Sequence, residues 1–211
     1  MRWPFSRERP DHRAAVGGHW DDVGQLQFDT LLDFGLRPEH RLVDVPCGSF
    51  RVGRLLIPYL GRGNYIGVEA NPALIAEGSK AELGRGLIRD KRPELIARRM
   101  PAPLPEADIV WIHALFDHIP PSDTAATIRH AGAAAPRVFG SFFLTDTPEQ
   151  PKRWLRYGSE DGAIVTYPDR EYWHHSPEFV ADAAAAAGLQ IAGWHDYGHP
   201  LSLTMVELVR P

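Results

Sequence analysis

An apolar run that ends in an acid and breaks into a turn of small residues constrains this chain most. Arg41-Leu42-Val43-Asp44-Val45 reads as a short buried strand, Pro46-Cys47-Gly48-Ser49 as a turn, and a helix is expected to start near Phe50. A second run, Tyr65-Ile66-Gly67-Val68-Glu69, follows at the spacing of a βαβ unit and also ends in an acid. Strand, turn, helix and second strand in this order are the layout of a nucleoside-binding crossover. Such a turn brings backbone N–H groups close to the ligand, and the second acid accepts from ribose hydroxyls.

The chain of 211 residues is long enough for one α/β domain with a sizeable core, and a single domain over 1–211 is the expectation. A net charge of −4 gives no basic field to attract nucleic acid. The basic cluster between Arg85 and Arg99 is interleaved with acids and reads as a solvated face. No apolar run is long enough to span a bilayer, and the N-terminus lacks the apolar stretch of a secretory signal. A cytoplasmic location follows as the expectation. The single cysteine, Cys47, excludes an internal disulfide and a multi-cysteine metal site. Its place in the turn suits a small buried residue better than a nucleophile.

The rest of the chain alternates strands with helices. Residues 1–18 are polar and contain Pro, and read as loosely ordered. Apolar positions at helical spacing mark a helix from Trp20 to Phe34. A helix follows the turn toward Leu60, and another runs from Asn71-Pro72 toward Leu83, with Pro in its first turn. Strands are expected within Pro93–Met100 and at Asp108–Ile112, then a helix over Ser122–Ala135 and a strand over Val138–Leu144. Residues 145–176 read as a long irregular insert. Ser176-Pro177-Glu178 opens the last helix. The final strands, Leu189–Tyr197 and Ser202–Val209, are joined by Gly198-His199-Pro200-Leu201 with no helix between them, so they form an antiparallel hairpin. The sum is an α/β, Rossmann-like, doubly wound sheet of seven strands.

On these residues the chain resembles the class I S-adenosylmethionine (SAM)-dependent methyltransferases. The runs "VDVPCGSFRVGRLLIPYL", "NYIGVEANPALIAEG", "LFDHIPP" and "YGHPLSLTMVEL" are similar to a bacterial subgroup of small single-domain members. That subgroup has Gly-Cys-Gly-Ser-Leu-Arg where this chain has Pro46-Cys47-Gly48-Ser49-Phe50-Arg51. The resemblance implies strand order 3-2-1-4-5-7-6 with the last pair antiparallel. It implies SAM lying across the carboxyl ends of the first, second and fourth strands. Asp44 would hold the methionine end, and Pro46, Gly48 and Ser49 would form the turn beneath the cofactor. Glu69, Ala70 and Asn71 would hold the ribose, Met100 would cover the adenine, and His113 would border the cofactor.

Methyl transfer to a hydroxyl needs in-line alignment and a base for the hydroxyl proton. The base is expected after the fourth strand. His118 is the first candidate and His113 the second, with Asp117 orienting an imidazole or the acceptor. His199 approaches from the hairpin turn. Asp146, Tyr167, Tyr172, Trp173 and His174 of the insert combine aromatic faces with hydrogen-bonding groups, as a sugar-binding surface does. A homodimer contact or a loose loop are the competing roles for the insert. Asp117, His118 and Asp146 also have the donor chemistry for Mg²⁺, with no diagnostic spacing. His19, Trp20 and Gln27 on the first helix are placed to close the site from above.

The expected activity is SAM-dependent O-methylation of a small hydroxylated acceptor, a sugar, glycoside or oligosaccharide. The competing readings are an N- or C-methyltransferase of a small natural product and a SAM-binding subunit without catalysis. A nicotinamide oxidoreductase conflicts with the terminal hairpin.

Overall fold

The computed structural model describes residues 11–145, 155–158 and 163–211. The strands are β1 (Leu42–Val45), β2 (Tyr65–Glu69), β3 (Glu94–Ala97), β4 (Ile109–Ile112), β5 (Arg137–Phe142), β6 (Leu155–Tyr157), β7 (Ile164–Thr166), β8 (Gln190–Asp196) and β9 (Thr204–Val209). The α-helices are α1 (Trp20–Asp33), α2 (Gly53–Tyr59), α3 (Pro72–Gly78), α4 (Gly84–Lys91), α5 (Pro121–Ala134) and α6 (Pro177–Ala186). Seven strands form one sheet in the order β3-β2-β1-β4-β5-β9-β8. Pairing is parallel from β3 to β5, while β9 runs antiparallel to both β5 and β8. This is the expected seven-strand order; the last two strands are renumbered because β6 and β7 form a separate hairpin within the insert.

Side chains alternate between the two faces of the sheet. Val43, Val45, Val68, Val110 and Ile112 meet α5 and α6 in one core. Leu42, Tyr65, Ile109, Trp111 and Phe139 meet α1 and α2 in the other. β1 is buried along its whole length, so Asp44 is a carboxylate inside the second core. Chain order reverses between β1 and β4, and the carboxyl ends of these strands open the crevice where ligands of such sheets bind.

Three local features depart from the sequence reading. First, α2 begins at Gly53 rather than near Phe50, because Phe50 sits at φ 73°, the left-handed region. That conformation costs about 1–3 kcal/mol in a non-glycine residue. The fully buried Phe50 ring offsets a comparable amount, about 1.5–3 kcal/mol. Second, the helix after Asn71 widens into a π-turn over Ser79–Leu83, and the chain then starts α4 from Gly84 at φ 69°. The Arg85 to Lys91 stretch is therefore helical, with Leu87 and Ile88 packed on the core and Lys91 Nζ donating to the Leu60 carbonyl at 2.7 Å. Third, residues 11–18, read as loosely ordered, carry a 3₁₀ turn at Ala14–Val16 and reach the site.

Gly78 ends α3 directly over the β1 turn. A Cβ there would lie 2.5 Å from the Ser49 carbonyl oxygen and 2.8 Å from its Cα. Helix propensity alone favours Gly78→Ala by about 1 kcal/mol. Backbone overpacking opposes it by roughly 1–3 kcal/mol, and the neighbour is backbone that cannot rotate away. Gly78→Ala is expected to lower the thermal midpoint by several degrees, at about 2–4 °C per kcal/mol. A raised midpoint would show that the close approach is not a constraint.

Candidate functional site

A cleft of about 560 Å³ opens at the carboxyl ends of β1, β2 and β4. Its floor is the β1 turn. The Cys47 N–H donates to the Val68 carbonyl at 3.0 Å, which stitches the turn to β2. Gly48, at φ 55°, donates its N–H to Glu69 Oε2 at 3.1 Å, and the Asn71 N–H donates to Glu69 Oε1 at 2.8 Å. One buried carboxylate thus holds the turn and the start of α3 together. The Cys47 thiol fills the space beside Gly67, where a Cβ would come within 2.9 Å of Sγ. Burial pushes this thiol well above its ordinary pKa, so it stays protonated, as a packing residue does.

Asp44 stands beneath the floor and accepts from the Tyr65 hydroxyl at 2.7 Å. Burial raises its pKa to about 7, against the pull of Tyr65 and Arg51. Arg51, which the sequence reading left without a role, lines the cleft and donates through Nη1 to the carbonyls of Val16 and Gly18 at 3.0 and 3.2 Å. Those carbonyls belong to a strap that roofs the cleft. His12 and Arg13 both reach Glu82 on the π-turn, at 2.7 and 2.8 Å, and the Ser49 hydroxyl donates to the His12 carbonyl at 2.9 Å. Val16 sits so close over Gly48 that a Cβ there would lie 2.8 Å from its Cγ1. His19 and Gln27 line the cleft, whereas Trp20 is buried outside it.

At the other end, β4 leads into His113, which is buried and stacked on Trp111 at 6.2 Å. Its Nε2 shares a hydrogen bond with the Tyr197 hydroxyl at 3.0 Å, and the His199 ring is 5.4 Å away. The β8–β9 turn delivers Tyr197 and His199 here because β8 runs in the same sense as β4. Burial, with Arg51 and His199 adding to it, holds His113 well below the ordinary histidine range, so it is neutral. His199 is lowered to about 4, again chiefly by burial. Asp117 is buried and burial raises its pKa; Oδ2 lies 3.4 Å from His118 Nε2, and Oδ1 has no hydrogen-bond partner among the described residues. His118 Nδ1 is 2.6 Å from Glu171 Oε1, and Tyr172 sets its ring against the same imidazole.

Of the residues singled out by sequence, Asp44, Pro46, Gly48, Glu69, Ala70, His113, Asp117, His118, Tyr172 and His199 line this one cleft. Others do not line it. Ser49 is buried beneath the turn, and Asn71 caps α3 by accepting from the Ala73 N–H. Met100 is packed in the α5–α6 core. Tyr167 lies under the Arg170 guanidinium at 3.8 Å, the Trp173 backbone N–H donates to the Asp117 carbonyl at 2.7 Å, and His174 Nδ1 bonds Thr166 Oγ1 at 2.8 Å. These three build the insert's frame. Asp146 lies outside the described residues. Among the described residues no group of three or more His, Cys, Asp or Glu side chains is arranged to hold a metal ion. No helix among them is long and apolar enough to cross a membrane.

No family model matches the chain. Solved structures do resemble it. Magnesium protoporphyrin IX methyltransferase from Synechocystis PCC 6803, with bound S-adenosylhomocysteine (SAH), superposes with a TM-score of 0.66 at 16% identity, over 91% of this chain and 86% of that one. A SAM-dependent methyltransferase from Clostridium acetobutylicum ATCC 824 gives 0.63 at 9% identity, over 93% and 94%. The glycopeptide N-methyltransferase MtfA, complexed with SAH, gives 0.62 at 13% identity, over 94% and 95%. The chain therefore shares its fold with these methyltransferases.

The buried histidines set an acid limit on stability. His175, whose Nε2 bonds the Phe116 carbonyl at 3.0 Å, is lowered by burial to about 4. Between pH 6.5 and 4 the unfolded chain binds a proton there that the native chain does not, so stability falls as the pH falls. Asp44 acts in the opposite sense, losing stability as pH rises from about 4 to 7. Comparing His175→Gln with its parent isolates the histidine. The variant should lose up to one proton from the slope, about 1.4 kcal/mol per pH unit. Equal slopes in urea titrations from pH 4 to 6.5 would contradict this.

Proposed function

We propose that this chain is an SAM-dependent methyltransferase that methylates a hydroxyl of a small acceptor, a sugar or glycoside being the first class to test. The observation that carries the reading is one continuous cleft with Glu69 at one end and Asp117 and His118 at the other. The residues present fit a nucleoside with an amino-acid tail. Each Glu69 oxygen takes one backbone N–H and keeps a lone pair for a ribose hydroxyl. Ala70, Leu74 and Pro46 offer apolar contact to a base. Arg51 and Asp44 meet the charged amino-acid end, with the guanidinium suited to its carboxylate.

The bound cofactor supplies a methyl group on a cationic sulfur that leaves as a neutral thioether. The chain aligns the acceptor and removes its proton. Asp117 Oδ1 lacks a donor among the described residues, and an acceptor hydroxyl provides one. His118 lies beside it as the base. His113 is the weaker candidate, because Tyr197 occupies its Nε2 and burial disfavours its protonated form. Tyr172 gives the acceptor an aromatic face. Among the described insert residues, Tyr167 packs under Arg170 and His174 bonds Thr166, which favours a small acceptor over a long oligosaccharide.

Calorimetric titration with SAH, with NAD⁺ as the control ligand, tests the cofactor. Micromolar binding of SAH alone is expected, and Glu69→Ala should weaken it at least about tenfold, roughly 1.4 kcal/mol. Binding of NAD⁺ alone would overturn the reading.

Turnover on hydroxylated glycosides tests the base. His118→Ala should lose about 10²–10⁴-fold in kcat with SAH affinity intact, the scale of general-base catalysis. His113→Ala should lose less. Full activity in both variants would remove both histidines from the chemistry.

A further inference from the structure

The His118 imidazole lies between two carboxylates from distant parts of the chain. Asp117 Oδ2 is 3.4 Å from Nε2, and Glu171 Oε1 is 2.6 Å from Nδ1. The Asp117 side chain is 7% exposed and that of Glu171 is 57% exposed, so the row runs from the cleft to solvent. The segment bearing Glu171 is fastened to the same place: the Trp173 N–H donates to the Asp117 carbonyl, and the Tyr172 ring meets the imidazole at 5.0 Å. An exposed ion pair contributes little to stability, so folding gains little from Glu171. An ionised carboxylate only accepts hydrogen bonds. Its contact therefore puts a proton on His118 Nδ1 and leaves Nε2 facing Asp117.

We propose that Glu171 is a positioning residue for methyl transfer: it fixes the His118 tautomer so that Nε2 and Asp117 together take the acceptor's proton. The proposal rests on the methyltransferase reading. As the acceptor oxygen bonds the methyl carbon, the carbon–sulfur bond breaks and its electron pair stays on sulfur. The acceptor's proton moves to the Asp117–His118 pair. The proton on Nδ1 stays on its bond to Glu171, and the Asp117–His118 pair returns the acceptor's proton to water once the product leaves, which restores the starting tautomer. The insert thereby contributes a group to the chemistry without touching the acceptor.

The test uses the full chain with isotope-labelled histidine, with and without SAH, and the variants Glu171→Ala and Glu171→Gln. Nitrogen NMR should show neutral His118 protonated on Nδ1 in the parent. That preference should be lost in Glu171→Ala and kept in Glu171→Gln, whose amide oxygen still accepts. With a glycoside acceptor, Glu171→Ala should lower kcat at least about tenfold, part of the general-base contribution, with KM and SAH affinity within twofold. Glu171→Gln should recover most of the loss. The same tautomer in parent and Glu171→Ala, or an unchanged kcat, would overturn the proposal. Failure of the parent chain to bind SAH would instead overturn the methyltransferase reading, while the NMR arm still reports whether Glu171 sets the tautomer.

Discussion

The site depends on a single carboxylate. Glu69 binds the backbone N–H of Gly48 with one oxygen and that of Asn71 with the other. The β1 turn, the end of β2 and the start of α3 are therefore one rigid corner. Its neighbours are chosen for closeness: Gly67 leaves room for Cys47, and Gly78 leaves room for the Ser49 backbone. A larger side chain at either position would press on the turn and move the N–H groups away from Glu69. Pro46, which stands for a glycine of the resembled motif, and Phe50, which stands for its leucine, fit the same corner. Phe50 takes the left-handed backbone a glycine would take and anchors it by burying its ring.

Charge is scarce along the rest of the cleft. His113 and His199 are neutral at physiological pH, and burial raises the pKa of both Asp44 and Asp117. Such surroundings strengthen each remaining charge–charge contact, because little water screens it. They also explain the division between the two histidines. His113 is deep and already paired with Tyr197, while His118 stands at the rim between an inner and an outer acid. Depth separates the two rings, and their sequence context gives no sign of it.

Where a structural role is local, the sequence carries it plainly. The acids of β1 and β2, the Gly48 turn, the helix start at Asn71-Pro72 and the two final strands were legible because each depends on neighbours a few residues away. The antiparallel terminal pair was legible for a related reason, since a four-residue link without a helix forces it, whereas the strand order came with the resemblance. The resemblance implies Met100 as an adenine contact, yet Met100 packs into the core that α5 and α6 cover. Tyr167, Trp173 and His174 have the chemistry of a binding surface, but their partners are one another's segment and the Asp117 backbone. Arg51 and Glu171 were missed because their partners lie 35 and 53 residues away. An arginine in a turn and a glutamate in a loop carry no periodic signal. The helix over Arg85–Lys91 was hidden by its charge: two apolar residues, Leu87 and Ile88, suffice to seat it.

The strap over the cleft is fastened in two physically different ways. Arg13 reaches Glu82 from the surface, where dissolved ions compete for its half-exposed guanidinium, while the Ser49 hydroxyl and the Arg51 guanidinium hold the carbonyls of His12, Val16 and Gly18 closer to the interior. Salt weakens the first kind of fastening and barely touches the second. The roof is thus hinged by electrolyte on its outer edge and bolted by neutral acceptors on its inner edge, so ionic strength becomes a handle on access to the cleft that leaves the floor unaltered.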